Sequence, residues 1–197
     1  MKNKVYIFDM GAVLKEPFGY EKFYNMLDTN LSFDEFMKYY LKEIELVEKG
    51  KLDEDIFFKN LINNINCNLT VNKIKDIYSL CVNNIYESTS LIIDKLKENN
   101  YKVYLLSNLK PIDYSNLKIK YDVLKFDKVY LSYEIGYMKP KKEIYEIVIN
   151  DLKINPSNIY FFDDKKENID SAKKLGIKAF QVTGDNIEEI FSKNNLY

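Results

Sequence analysis

Five short apolar runs constrain the fold of this chain more than any other feature. They cover residues 4–8, 102–106, 128–131, 159–162 and 178–182. The runs are aliphatic and aromatic with little alternation, which is typical of strands buried on both faces of a parallel sheet. Helical patterns over residues 88–99, 141–152 and 167–175 stand between them. This alternation predicts an α/β layered fold with right-handed crossovers.

Residues 19–86 interrupt the alternation and contain no strand pattern. Ser32 and Glu35 form a capping-box pair at the start of one predicted helix, and Asp53 is a candidate cap for the next. A third predicted helix covers residues 71–85. The sequence therefore predicts an all-helical insertion after the first strand.

Polar side chains follow four of the five apolar runs. They are Asp9, Ser107 with Asn108, Lys139, and Asp163 with Asp164. In an open parallel sheet, ligands bind outside the carboxyl ends of the strands. We therefore expect a carboxylate, a hydroxyl, an ammonium group and a pair of carboxylates to meet in one crevice.

The chain contains no histidine, which excludes Ser-His-Asp triads, Cys-His pairs and the common zinc sites. The remaining oxygen ligands favour the hard cation Mg²⁺. In the predicted crevice, Asp9 is a candidate nucleophile that would form an aspartyl-phosphate. Lys139 and a divalent metal held by Asp164, with Asp163, would balance the negative charge, and Ser107 would bind the transferring oxygens.

Composition limits the partners and the compartment that we expect. The net charge is −1, 30% of the residues are charged, and the two signs are interspersed, which argues against binding to nucleic acid or to a membrane. Cys67 and Cys81 are the only cysteines, and we expect buried free thiols in a reducing cytoplasm. The apolar run before Asp9 is too short for a signal peptide.

Four segments together resemble the motifs of the haloacid dehalogenase-like (HAD) hydrolase superfamily. They are FDMGAVL at 8–14, LLSN at 105–108, Lys139 within GYMKP, and FFDDKKEN at 161–168. The resemblance extends over nearly the whole chain. It implies a Rossmann-like core of residues 1–14 and 87–197, with residues 15–86 inserted as a helical cap. The last two motifs are similar to the branch typified by α-D-glucose-1-phosphate phosphatase and by the N-terminal phosphatase domain of epoxide hydrolases.

The resemblance also implies a role for each matching residue. Asp9 would be the nucleophile, while Ser107, Asn108 and Lys139 would bind the substrate phosphate. Mg²⁺ would be held by the Asp9 carboxylate, the Gly11 backbone carbonyl and Asp164. Asp163 and Asn168 would support this arrangement.

Gly11 departs from the common pattern of the superfamily. Most of its phosphatases carry an aspartate there, which protonates the leaving alcohol and then activates water. Such acid–base help is typically worth about 10²–10⁴-fold in rate. Glu16, seven residues after Asp9, is a candidate substitute acid.

The expected activity is Mg²⁺-dependent hydrolysis of a small phosphorylated metabolite, in particular a sugar phosphate. One alternative is a catalytically weak or inactive binding or regulatory protein, because Gly11 replaces the usual acid. A second is a 2-haloacid dehalogenase, whose chemistry needs no metal. A signalling receiver domain fits poorly, because its acidic pair follows the first strand. The sequence specifies neither the substrate nor the oligomeric state.

Overall fold

In the computed structural model, which describes residues 4–196, the apolar runs form one parallel sheet of five strands in the order β3-β2-β1-β4-β5. The strands are β1 (Val5–Phe8), β2 (Lys102–Ser107), β3 (Lys128–Leu131), β4 (Ile159–Asp163) and β5 (Lys178–Gln181). This confirms the predicted α/β class and each predicted strand. Residues 1–3 and 197, which belong to the expected core segments, lie outside the described residues.

Helices cover both faces of the sheet, which explains why the strands show no alternation. All four residues of β1 are buried. Tyr6 and Phe8 pack on one face with Phe162 of β4, whereas Val5 and Ile7 belong to a separate cluster on the other face. The helices after the insertion are α5 (Glu87–Glu98), α6 (Pro111–Lys120), α7 (Ser132–Ile135), α8 (Lys142–Leu152), α9 (Lys166–Lys174) and α10 (Ile187–Lys193).

The segment after β1 contains the predicted helices and one more at its start. They are α1 (Tyr20–Asn25), α2 (Phe33–Glu48), α3 (Glu54–Asn64) and α4 (Val71–Leu80). Ser32 and Glu35 form the expected capping box, and the Asp53 side chain accepts from the N–H groups of the first turn of α3. These helices enclose their own aromatic core, separate from the two clusters on the sheet.

The third predicted helix is shorter than expected, because α4 ends at Leu80 rather than at residue 85. The backbone of the following residues pairs with the outgoing chain instead of continuing the helix. The Glu16 N–H donates to the Asn84 carbonyl at 2.9 Å, and the Tyr86 N–H donates to the Leu14 carbonyl at 2.9 Å. The chain thus leaves and re-enters the core side by side, with an antiparallel bridge between Lys15 and Ile85.

Two smaller expectations concern the cysteines and membranes. Cys67 and Cys81 are both buried and free, as predicted. Within residues 4–196, none of the helices combines the length and the apolar character needed to cross a bilayer.

Candidate active site

Asp9 and Ser107 meet where β1 and β2 end. The Asp9 N–H donates to the Phe162 carbonyl of β4 at 2.9 Å, which continues the sheet pairing and fixes the backbone of Asp9. The Ser107 hydroxyl donates to Asp9 Oδ1 at 2.7 Å. Both side chains are buried. The strand-end argument therefore located this pair correctly.

Lys139, in the loop between α7 and α8, brings a buried positive charge to Asp9. Its Nζ lies 2.9 Å from Asp9 Oδ1 and 2.6 Å from Asp163 Oδ2, and it also donates to the Leu106 carbonyl at 2.9 Å. Burial disfavours the ammonium form, but Asp163 and Asp9 outweigh burial and raise the pKa of Lys139. Lys139 is therefore a permanent cation in this site.

Asn108 is engaged with the backbone of Lys139 rather than with a side chain. Its Oδ1 accepts from the Lys139 N–H at 2.9 Å, and its Nδ2 donates to the Lys139 carbonyl at 2.8 Å. The paired bonds fix the loop that carries the lysine. Asn108 also lines the cavity beside Asp9, so its predicted contact with phosphate stays a prediction.

Carboxylate groups also gather around Asp9. Oxygen atoms of Asp9, Asp163 and Asp164 lie within 4.8 Å of one another. Asp163 is fully occupied, because its Oδ1 accepts from the Lys165 N–H at 2.9 Å and from Asn168 Nδ2 at 2.8 Å, while its Oδ2 faces Lys139. Asp163 is thus committed to contacts within the protein, whereas Asp164 lines the cavity. The supporting role of Asp163 stays a prediction.

Two observations indicate that this acidic cluster fits a cation. Partial burial first, and then the nearby carboxylates of Asp9 and Asp163, raise the pKa of Asp164 to about 6, so its negative charge is poorly compensated. The Oδ1 atom of Asn168 is buried without a hydrogen-bond partner in the described part of the chain. Carboxylate, carbonyl and amide oxygens are the ligands of Mg²⁺. Asp9, Asp164 and the Gly11 carbonyl are the residues that would hold it.

The position of the missing acid is sterically open. A Cβ atom built on Gly11 meets nothing within 4 Å, and Gly11 lines the cavity. Glu16 is placed differently: its Oε2 accepts from the Asn84 N–H at 3.2 Å, and it is not among the residues that line the cavity. Its role as a substitute acid stays a prediction, and this placement argues against it.

A cavity of about 250 Å³ lies above Asp9, between the sheet and the inserted helices. From the insertion, Phe18, Tyr20, Glu48 and Tyr78 contribute to its wall. The small volume and the aromatic wall suit a small ligand with one strongly polar end.

Sequence reasoning missed a second polar cluster in this cavity. Lys110 and Asp113 form a buried ion pair at 2.8 Å, and the Tyr78 hydroxyl donates to Asp113 Oδ1 at 2.6 Å. Lys15, also buried, lines the same wall. The available signal was a Lys-Pro-x-Asp pattern at the start of a helix, two residues beyond Asn108.

Comparison with known proteins identifies the family. A sequence profile described as haloacid dehalogenase-like hydrolase matches residues 27–176, which is more than half of the chain. The chain belongs to this family. The expected enzyme class, a haloacid dehalogenase-like hydrolase, is therefore confirmed.

Curated relatives of this hydrolase include phosphatases. A D-ribitol-5-phosphate phosphatase of Bacteroides thetaiotaomicron is 34% identical over 142 residues, which is 68% of each chain. A sesquiterpene phosphatase of Aspergillus oryzae is 29% identical over 185 residues, covering 91% of this chain and 90% of that one. These names support action on phosphate esters.

A solved structure similar to this hydrolase contains both magnesium and phosphate. It is the wild-type form of a HAD family enzyme from Bacteroides thetaiotaomicron in complex with magnesium and inorganic phosphate. The two chains are 26% identical, with a TM-score of 0.76 over 92% of this chain and 94% of that one. The Rossmann-like fold is confirmed by this similarity.

Proposed function

We propose that this hydrolase is a Mg²⁺-dependent phosphatase that acts on a small phosphorylated metabolite through an aspartyl-phosphate on Asp9. The observation that carries the proposal is the placement of Asp9 between two kinds of partner. Ser107 and Lys139 both contact its Oδ1, and oxygen atoms of Asp163 and Asp164 lie within 4.8 Å and form a cluster suited to a cation.

In the first step, an Asp9 carboxylate oxygen attacks phosphorus, and the bond from phosphorus to the ester oxygen breaks. Lys139 Nζ and the Ser107 hydroxyl stand where they would meet the charge on the phosphoryl oxygens. The leaving alkoxide takes a proton from a water molecule, because glycine at position 11 supplies no acid. A water molecule then attacks phosphorus, which releases phosphate and restores the Asp9 carboxylate. Bound Mg²⁺ would offset the repulsion between the carboxylate and the phosphate dianion.

The substrate class follows from the relatives and from the cavity. A relative acts on D-ribitol 5-phosphate, which favours a sugar or polyol phosphate. The cavity volume of about 250 Å³ is below the usual range of roughly 300–1,000 Å³ for ligand pockets. We infer that substrates larger than a short phosphorylated chain or a single sugar are excluded while the inserted helices are closed.

We further propose that residues 15–86 act as a cap on a core of residues 1–14 and 87–197. The inserted helices supply the aromatic wall of the cavity, whereas Asp9, Ser107 and Lys139 come from the sheet and its loops. Closure over a bound substrate would exclude bulk water from the reaction. The cytoplasmic location stays a prediction.

The test is a screen for phosphate release with and without Mg²⁺, over sugar phosphates, ribitol 5-phosphate, nucleotides and p-nitrophenyl phosphate. We expect activity that is lost with a chelator and in Asp9→Asn. Asp170→Asn, a change at an exposed carboxylate, is the matched control and retains activity.

Other outcomes would identify the alternatives. Folded wild-type protein that releases phosphate from none of these esters, yet binds them, would be a binding or regulatory protein. The structural reason for considering this outcome is Gly11, because glycine provides no acidic side chain near Asp9. Halide release from a 2-haloacid without Mg²⁺ would identify a dehalogenase.

A further inference from the structure

Lys15 is a buried ammonium group without a carboxylate partner. The residue is only 5% exposed and lines the cavity above Asp9. Its Nζ makes one long contact, 3.4 Å, to the Glu16 carbonyl, and no carboxylate of residues 4–196 forms an ion pair with it. Buried charges are normally paired, because desolvation makes an isolated charge costly. The unpaired ammonium group of Lys15 therefore indicates a site for an anionic ligand.

The backbone of Lys15 is held firmly at the junction between the core and the inserted helices. Its N–H donates to the Met10 carbonyl at 2.9 Å, and bridges join it to both Gly11 and Ile85. The start of this side chain is therefore fixed relative to Asp9. The ammonium group of Lys15 therefore extends from a fixed point on the wall of the cavity above Asp9.

The nearest charges do not neutralise Lys15. Both oxygens of Asp113 are occupied, Oδ1 by the Tyr78 hydroxyl and Oδ2 by Lys110. Burial lowers the pKa of Lys15, although the Asp113 and Asp9 carboxylates oppose this effect. Burial likewise raises the pKa of Glu48, another carboxyl group that lines the cavity. Both shifts reflect the cost of burying a charge, and an anion bound beside Lys15 would relieve that cost for its ammonium group.

We propose that Lys15 and Lys110 form an anion subsite for the part of the substrate that leaves as the alcohol. The inference rests on the proposed phosphatase function and narrows its substrate class to phosphate esters that carry a carboxylate. A single carboxylate balances the unpaired ammonium, whereas a neutral hydroxyl group leaves it buried and uncompensated. The small cavity favours a carboxylate over a second phosphate, which is larger and carries more charge.

Two esters of the same length test this subsite. They are 3-phosphoglycerate and glycerol 3-phosphate, which differ at the far end by a carboxylate in place of a hydroxymethyl group. We expect wild-type kcat/KM to be at least about 10-fold higher for 3-phosphoglycerate, as for other buried charge pairs. Lys15→Met should lower that value by about 10–100-fold and change kcat/KM for glycerol 3-phosphate by less than about 3-fold. Lys173→Met, a change at an exposed lysine of α9, is the matched control.

Equal losses on the two esters, or a wild-type preference for glycerol 3-phosphate, would overturn the subsite. A wild-type preference for glycerol 1,3-bisphosphate over 3-phosphoglycerate would show that the second anion is a phosphate and would overturn the carboxylate assignment. Lys15→Gln repeats the comparison with a polar side chain, in case the methionine variant folds poorly.

Calorimetric binding to the Asp9→Asn variant separates this inference from the proposed function. Asp9→Asn should bind 3-phosphoglycerate more tightly than glycerol 3-phosphate, and Lys15→Met in that background should abolish the difference. If wild type hydrolyses no ester, the phosphatase proposal fails, while this difference in affinity still supports the subsite. Equal affinities of Asp9→Asn for the two esters would overturn it.

Discussion

Lys139 Nζ lies 2.6 Å from Asp163 Oδ2, and both side chains are almost completely buried. Asp163 also accepts from the Lys165 N–H and from Asn168, so one carboxylate connects the lysine loop to the start of α9. The ion pair therefore connects Lys139, which we propose to bind phosphate, to the acidic cluster that we propose to bind the cation.

Asp163→Asn should lower the free energy of unfolding by about 3 kcal/mol. This value is at the lower end of the cost of breaking a buried ion pair, because Asp9 still contacts Lys139 in the variant. Urea denaturation measures the change. Asp170→Asn removes an exposed partner of Lys166 and should leave the free energy of unfolding nearly unchanged. Similar losses in the two variants would show that the buried pair contributes nothing special to stability.

Gly11→Asp should raise turnover of an alkyl phosphate by about 10-fold or more, within the range of general acid–base catalysis. The new side chain has room, since nothing lies within 4 Å of its Cβ position. Steady-state kinetics on ribitol 5-phosphate measure the effect, and Gly11→Asn controls for size without acidity. An unchanged kcat in Gly11→Asp would mean that protonation of the leaving group does not limit the rate.

Magnesium should stabilise the protein more at pH 8 than at pH 5. Burial, Asp9 and Asp163 raise the pKa of Asp164 to about 6, so the folded metal-free protein binds this proton more tightly than the unfolded chain. The contribution of Asp164 to the free energy of unfolding is therefore present at low pH and is lost as the pH rises through about 6. Mg²⁺ competes with the proton and relieves the repulsion. Thermal melts with and without Mg²⁺ at both pH values measure the difference. An equal shift in melting temperature at pH 5 and pH 8 would contradict the prediction.

Gly50→Ala should raise KM several-fold by keeping the inserted helices from closing. Gly50, after α2, has φ +63°, and a Cβ there would lie 2.2 Å from the Tyr133 carbonyl oxygen in α7. Gly136 has φ +84° but an open Cβ position, so Gly136→Ala is a matched control for backbone strain, which costs about 1 kcal/mol. We expect similar melting temperatures in the two variants and a raised KM in Gly50→Ala alone. Equal KM values in the two variants would show that the end of α2 and α7 lie apart in the active conformation.

Lys15→Met should make the substrate-free protein more stable, by about 1 kcal/mol, because it removes an unpaired buried charge. Chemical denaturation without phosphate esters measures this gain, and Lys173→Met should show none. A large loss of stability in Lys15→Met would mean that its ammonium group has a structural partner.

The strands and the strand-end residues were predictable because both follow from local pattern. Each apolar run became a strand within a residue or so of its expected bounds, and Asp9, Ser107 and Lys139 met as expected. A strand buried on both faces leaves a strong signal, and parallel strands bring their ends to one edge.

The second polar cluster was not predictable by the same reasoning. Lys110 caps the start of α6 and Asp113 lies in its first turn, where an i, i+3 pair is usually exposed. They are buried because Tyr78, far away in the chain, packs on them from α4. The early end of α4 has a similar origin, since Asn84 and Tyr86 pair with residues before α1. Long-range packing decided both cases.

The bridge between Lys15 and Ile85 places the two ends of the inserted segment next to each other. Adjacent strands at a bridge lie about 5 Å apart, a gap that a tight turn of a few residues closes. The helical segment can therefore be exchanged for one of another length or shape without moving β1 or the catalytic edge. A fold joined in this way can acquire new specificities by replacing one contiguous stretch of its gene while the phosphate chemistry stays in place.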